Sequence, residues 1–200
     1  SDLNPDNPLR ASIVADPAGA RKNTKDNTPS VVHIDMVAGE KIEVMIAAKG
    51  GGSENKSKMV MLNPSDDIAD WVVKTLPTMG AGWCPPGMLG IGIGGTAEKA
   101  AVLAKESLMD PVDIQELIER GPQTTDEKLR LEIFDRVNKL GIGAQGLGGL
   151  TTVVDVKIKS LPTHAASKPV AMIPNCAATR HAHFYLDGSG PAELTPPKLE

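Results

Sequence analysis

Residues 82–100, GWCPPGMLGIGIGGTAEKA, contain the pattern on which the fold prediction depends. The apolar, glycine-rich run from Met88 to Ile93 favours a buried strand, and Thr96 stands where a helix N-cap belongs, before Ala97–Met109. Ahead of the strand, Cys84 is followed by two prolines, which fix the backbone and remove two amide donors. The stretch therefore predicts a rigid cysteine loop, a buried strand and a helix in direct succession.

Strand patterns lie on both sides of a helical middle. Two alternating apolar runs about a glycine-containing turn, within residues 30–49, predict an antiparallel hairpin, and Ser65 is a candidate N-cap for the next helix. Thr124 and Glu127 form a capping-box pattern at the start of a further helix. Three more strands are predicted at 151–161, 169–175 and 183–188. This order predicts an α+β fold with mixed sheets and flanking helices, in a single domain over residues 1–200.

Composition excludes several classes of function. The 200 residues carry 21 Lys and Arg against 25 Asp and Glu, and only 2% are aromatic, so neither a basic footprint nor base stacking favours nucleic acid or acidic lipid. No apolar run approaches about 18 residues, and the start of the chain lacks signal-peptide features. We therefore expect a cytoplasmic protein that binds neither membrane nor nucleic acid. The two cysteines are too few for a disulfide scaffold and favour reduced thiols or metal ligands.

Glycine-rich stretches raise the question of nucleotide binding. Gly90, Gly92 and Gly95 satisfy G-x-G-x-x-G, but they fall inside the predicted strand instead of at a strand-to-helix turn. Close packing is therefore favoured over NAD binding. The stretch GGGSENKS lacks the glycine that a P-loop requires before Lys-Ser, because Asn55 occupies that position.

The cysteines and histidines allow a metal site. Cys176 follows a predicted strand and is close in sequence to Arg180, His181 and His183. Two Cys and two His could form a tetrahedral zinc site, although their spacing matches no standard finger and surface histidines on a strand are favoured. Taken alone, Cys84 is more commonly a small buried side chain than a ligand.

Five motifs, in this order, carry a family resemblance that no single motif would support. The motifs are AKGGGSENKSK (48–58), GWCPPGMLGIGIGGTAEKA (82–100), LGIGAQGLGGLTTV (140–153), LPTHAASKPVAM (161–172) and NCAATRHAHFYLDGSGPA (175–192). With them the chain resembles, from about Leu9 to Pro197, the α part of the class I, oxygen-sensitive iron–sulfur fumarate hydratases and the related L-tartrate dehydratases.

The resemblance implies a 4Fe-4S cluster held by three cysteines, with one iron open to substrate. Cys84 and Cys176 match two of the three ligands. The third ligand of the family lies in a Cys-Gln-Asp-Thr-Gly motif, which this sequence does not contain. Since the aspartate of that motif belongs to the acid–base machinery, and a β domain or subunit completes the site, the chain is expected to be a partial α domain that is inactive alone.

Other positions are matched to the family motif by motif. Arg10 matches an arginine that grips a substrate carboxylate, a role suited to its bidentate fork. Lys49, Gly51 and Gly52 match a loop that lines the substrate pocket. His164 matches a substrate-facing histidine, although Thr163 and Ala165 depart from the usual Leu-Pro-Arg-His-Gly-Ala-Ser. Gln145 lies in a loop that is near the cluster in the family.

The implied activity is reversible hydration of fumarate to L-malate, a tricarboxylic acid cycle reaction, with the open iron as Lewis acid. The implied partners are a dicarboxylate substrate and a fumarase β subunit or domain, in a homo- or hetero-oligomer. An L-tartrate dehydratase α subunit is the alternative within the family. From other classes, a zinc-stabilised, non-catalytic binding domain and a dinucleotide oxidoreductase remain as hypotheses.

Overall fold

The computed structural model describes residues 12–190. The chain divides at Glu40 and Lys41 into two compact units, which we describe separately. In the first unit, β1 (Val14–Ala15) and β2 (Lys22–Asn23) form a short antiparallel ladder. The Asn27 side chain accepts a hydrogen bond from the backbone N–H of Ser12 at 2.7 Å and ties this ladder to the following loop.

The second unit contains the remaining strands and helices and confirms the α+β class. Short 3-10 turns lie at Leu76–Met79 and Ala144–Gly146. The other elements, in chain order, are β3 (Ile42–Ala47), α1 (Gly51–Glu54), β4 (Lys58–Leu62), α2 (Ile68–Thr75), β5 (Gly87–Gly95), α3 (Ala97–Ser107), α4 (Ile114–Arg120), α5 (Thr125–Asn138), β6 (Val153–Thr163), β7 (Lys168–Cys176) and β8 (His181–Leu186).

A four-stranded sheet in the order β4-β7-β5-β6 is the centre of this unit. β5 runs antiparallel to β7 and parallel to β6. Helix α3 packs so closely on one face that a Cβ on Gly92 would lie 1.9 Å from the carbonyl oxygen of Ala100, and one on Gly90 would lie 2.2 Å from that of Ala104. These glycines therefore serve helix–sheet packing, as the sequence favoured.

The two faces of the sheet carry different apolar clusters because successive strand residues point to opposite sides. Met88 in β5 packs toward α3, whereas its neighbour Leu89 joins a larger cluster with residues of α2 and α5. The capping box of Thr124 and Glu127 is present and starts α5 as predicted. On α5, Ile133 and Val137 are fully buried, so this helix presents its apolar face to the sheet.

A buried ionic cluster joins β6 to the α4 and α5 region. Asp155, fully buried, accepts hydrogen bonds from Arg130 Nη2 at 3.2 Å and from the backbone N–H of Asp113 at 2.9 Å, and lies 3.1 Å from Lys157 Nζ. Asp113 lies 2.6 Å from the same ammonium group and also pairs with Arg130. Burial opposes ionisation of Asp113, but Lys157 and Arg130 outweigh it and hold its pKa below the usual value.

Two local predictions are wrong. The hairpin predicted within residues 30–49 does not form, because β3 pairs antiparallel with β8 and residues 31–37 adopt neither helix nor strand. Asp67, not Ser65, caps α2, and its carboxylate accepts from the N–H of Asp70 at 2.8 Å. Within residues 12–190, helices long and apolar enough to cross a membrane are absent.

Candidate functional site

The topology brings the two cysteines to one end of the central sheet. Cys176 ends β7 and pairs with Gly87, the first residue of β5, and Cys84 lies three residues before Gly87. Both thiols are free and line one groove of about 170 Å³. The full lining is Lys49, Gly50, Gly52, Ser53, Gly82, Cys84, Asn175, Cys176 and Arg180.

The loop that carries Cys84 is fixed from several directions. Cys84 has φ of 58°, a left-handed conformation that a residue with a side chain adopts where its surroundings impose it. Its backbone N–H donates to the carbonyl of Ala81 at 2.9 Å, and the neighbouring Trp83 is fully buried. The carbonyl of Pro85 accepts from the N–H of Gln145 at 2.7 Å. The thiol is therefore presented at the surface by a rigid backbone.

Two cationic side chains share the groove with the thiols. The Lys49 ammonium group is buried and has no hydrogen-bond partner among the described residues. Burial lowers its pKa to about 8; the nearby Cys176 opposes this shift and Arg180 adds to it. Arg180 is held in place because its Nε donates to the carbonyl of Ala48 at 2.9 Å, directly before Lys49. The groove thus offers concentrated positive charge without a fixed counter-ion within residues 12–190.

Further polar groups around the groove also lack partners within the described part of the chain. Asn175, only 2% exposed, has a buried Nδ2 that donates to nothing. His181 has a buried, unpartnered Nε2, and burial together with the charge of Lys49 lowers its pKa to about 4. Buried donors without acceptors are costly and rare. The unpartnered donors of Lys49 and Asn175 therefore indicate that the groove suits a ligand with hydrogen-bond acceptor atoms.

The glycine loop after Lys49 packs against the cysteine loop. A Cβ on Gly52 would lie 3.0 Å from the carbonyl oxygen of Gly82, so the absence of a side chain allows the two loops to approach. Ser53 Oγ reaches the carbonyl of Trp83 at 3.5 Å. Gly51, the first residue of α1, lies between the lining residues Gly50 and Gly52 but does not itself line the groove.

The other sequence-predicted residues are placed elsewhere. His164 lies in the turn after β6, whose Thr163 pairs with Gly95 at the far end of β5. Eight residue steps along β5 correspond to about 26 Å, so His164 is not in the groove with Cys176. Its Nδ1 accepts from the N–H of Ala166 at 3.1 Å. Gln145 is not in the groove lining but bonds to Pro85, the residue after Cys84, and Arg10 lies outside the described residues.

The hypothetical zinc site is not formed. Within residues 12–190, no group of three or more His, Cys, Asp or Glu side chains converges closely enough to hold a metal ion. His183 instead lies 2.7 Å from Glu43 Oε1 on β3, and its ring is tilted against that of Tyr185 at a centroid distance of 5.2 Å. His181 shares its face of β8, but its Nε2 is buried and unpartnered within the described residues, whereas His183 is paired with Glu43.

Sequence reasoning missed three polar side chains of the groove, those of Ser53, Asn175 and Arg180. A signal for two of them existed, because Asn175 directly precedes Cys176 and Arg180 follows it by four positions. The structure adds what spacing could not supply. Arg180 directly precedes β8. Because β8 pairs with β3, Arg180 lies beside the loop that carries Lys49.

Comparison with known proteins assigns the family. The family model described as fumarate hydratase (Fumerase) matches residues 2–185. The chain belongs to this family. It is 39% identical over 183 residues to a putative L(+)-tartrate dehydratase subunit alpha of Methanocaldococcus jannaschii. The matched stretch covers 88% of this chain and 62% of that protein.

Two further relatives are similar over the same stretch. An L(+)-tartrate dehydratase subunit alpha of Escherichia coli (strain UTI89) is 31% identical, over 86% of this chain and 57% of its own length. The fumarate hydratase class I, anaerobic, of Escherichia coli (strain K12) is 32% identical, over 84% of this chain and 32% of its own length. The chain thus spans about three fifths of the α-subunit relatives it matches.

Proposed function

We propose that this Fumerase-family chain forms one wall of a hydro-lyase active site that reversibly hydrates fumarate to L-malate. The observation that carries the proposal is the single groove in which Cys84 and Cys176 meet Lys49 and Arg180. Thiols are soft ligands suited to iron–sulfur clusters, and the two cations suit a dicarboxylate. Neither the groove nor the family membership would carry this proposal alone.

The groove fits two of the three protein ligands of a 4Fe-4S cluster. Cys84 is exposed and Cys176 is half-buried, so both thiols can contact the same bound group. The unpartnered Nδ2 of Asn175 is a donor available to cluster or thiolate sulfur, and such bonds tune the cluster. When bound, the cluster supplies a Lewis acid that makes hydroxide a better leaving group. We propose that the third cysteine comes from sequence that the longer relatives have beyond the matched region.

The substrate's charge would be met by Lys49 and Arg180. With a pKa of about 8, Lys49 is mostly protonated at pH 7, and a bound carboxylate would give its buried ammonium group the missing partner. The guanidinium of Arg180 can bind a carboxylate as a fork.

The proton chemistry would be completed by a partner. Hydration adds hydroxide to one alkene carbon and a proton to the other, so the reverse reaction needs a base beside the carbon that loses the proton. Among the residues that the structure describes, the groove lining contains no Asp, Glu or His. We therefore propose that a fumarase β subunit or domain supplies the base, while this chain binds and orients the diacid. Arg10, Gly51, Gln145 and His164 remain proposed contributors from the family resemblance, with His164 acting from outside this groove.

The test is an assay of the longer α protein that carries both this chain and the third cysteine, with its β partner, after anaerobic reconstitution with iron and sulfide. Lys49→Met and Arg180→Gln should each raise KM for L-malate at least about tenfold, since each removes a charge-assisted contact. Lys74→Met, which removes an exposed lysine of α2, is the matched control and should leave KM unchanged. Wild-type KM in both groove variants would overturn the proposed substrate wall.

L-tartrate dehydration to oxaloacetate is the second candidate. It is favoured by the 39% identity to a protein named as a putative L(+)-tartrate dehydratase subunit alpha. L-tartrate differs from L-malate by one hydroxyl, and a buried hydrogen-bonding site discriminates strongly for or against such a group. Side-by-side measurement of kcat/KM for L-malate and L-tartrate decides between them. A higher value for L-tartrate would replace fumarate hydration as the assigned reaction.

A further inference from the structure

Residues 31–37, VVHIDMV, form an apolar segment that the groove chemistry does not use. Its five large apolar side chains are between 71% (Val32) and 94% (Met36) exposed. Within residues 12–40 the segment joins neither helix nor strand. Exposed apolar runs of this density are uncommon on soluble proteins and mark surfaces that become covered.

The sequence of the segment is that of a strand. Val32, Ile34 and Met36 alternate with His33 and Asp35, so a strand here would have one wholly apolar face. The β-branched residues favour this conformation. Within residues 12–40, no second strand accepts its backbone hydrogen bonds.

We propose that the apolar segment pairs antiparallel with the same segment of a second copy of this chain, about a two-fold axis at Ile34. In that register Ile34 faces its own mate, Val32 faces Met36, and Val31 faces Val37. His33 faces Asp35 twice, so each imidazole can share a hydrogen bond with a carboxylate. Every cross-strand pair is therefore apolar with apolar, or polar with polar.

Neighbouring registers lose this complementarity. A slip of one position sets Ile34 against Asp35 or His33, and a slip of two sets Asp35 against Asp35 or His33 against His33. Like charges directly opposite one another destabilise a ladder. The self-complementary register is what identifies a second copy as the partner, since a symmetric dimer requires the same patch to match itself. The inference is independent of the cluster and of the proposed reaction.

Register-specific cross-linking of the 200-residue chain tests the pairing. Ile34→Cys places the two introduced thiols opposite each other at about 5 Å between Cα atoms, within the disulfide range. Met36→Cys is the matched control, because its two mates would be four residues out of register, about 13 Å apart. Under mild oxidation we expect Ile34→Cys to form a disulfide-linked dimer and Met36→Cys not to do so. Peptide mass mapping separates these bonds from any made by Cys84 or Cys176.

A charge exchange gives a second readout in the unmodified cysteine background. His33→Glu and Asp35→Lys should each weaken the dimer in sedimentation, while the double variant restores Glu–Lys pairs and should recover wild-type association. Ile34→Asp, which sets two carboxylates face to face, should raise the dimer dissociation constant at least about tenfold, and Ile34→Thr should not. A monomeric wild-type chain, equal cross-linking of both cysteine variants, or a double variant no better than the singles would overturn the proposal.

Discussion

Removal of the Asp155 carboxylate should destabilise this protein more than removal of any exposed acid. Asp155 is fully buried and contacts Arg130, Lys157 and the N–H of Asp113 at 3.2, 3.1 and 2.9 Å. In Asp155→Ala, two buried cations are left to share the single carboxylate of Asp113. Breaking a buried ion pair in this way typically costs about 3–5 kcal/mol.

The assay is urea unfolding at pH 7 together with the thermal midpoint. For a chain of this length each kcal/mol shifts Tm by about 2–4 °C, so Asp155→Ala should lower Tm by about 6–20 °C. Asp135→Ala is the matched control. Its pair with Lys139 lies on the exposed face of α5 at 2.5 Å and should contribute at most about 0.5 kcal/mol. A loss below about 1 kcal/mol in Asp155→Ala, or equal losses in both variants, would refute the reasoning.

Two further predictions concern packing and pH. Gly92→Ala should lower the free energy of unfolding in urea by about 1–3 kcal/mol, because its Cβ would lie 1.9 Å from the Ala100 carbonyl oxygen. Gly190→Ala, whose Cβ meets open space, is the control and should leave that free energy unchanged. Equal stability of the two variants would contradict the packing account. His181 should titrate by NMR near pH 4, so the stability that its neutral ring provides is present above pH 6.5 and is lost as pH falls toward 4. Lys49→Met should raise that midpoint, and an unchanged midpoint near 6.5 in both proteins would contradict the burial of this histidine.

Local signals in the sequence were sufficient for much of the fold. Thr124 and Glu127 define the start of α5 through hydrogen bonds within one helical turn. The glycines of β5 indicated close packing because they fall inside the strand and not at a strand-to-helix turn. The local sequence did not show which strand β3 pairs with. Alternation at 30–49 correctly indicated a strand at β3, but its partner, β8, lies about 140 residues away in sequence, where periodicity gives no information.

The site was predictable to the extent that chemistry lay in motifs. The motifs pointed to both cysteines and Lys49. Asn175 and Arg180 lie in the same motif as Cys176, but only the pairing of β7 and β8 shows that they share one groove with Lys49. His164 shows the converse. It lies in a matching motif, yet the antiparallel course of β7 carries it to the end of the sheet opposite Cys176.

The most direct test of the central claim is ligand dependence of cluster assembly. The chain is reconstituted anaerobically with iron and sulfide, with a small thiol added to supply the remaining ligand, and bound iron and visible absorption are measured. Both should be present in wild type and in Lys74→Met, and both should be lost in Cys84→Ser and in Cys176→Ser, because each variant leaves one thiolate in the groove. Wild-type iron and absorption in either cysteine variant would contradict the assignment of the groove as the cluster site.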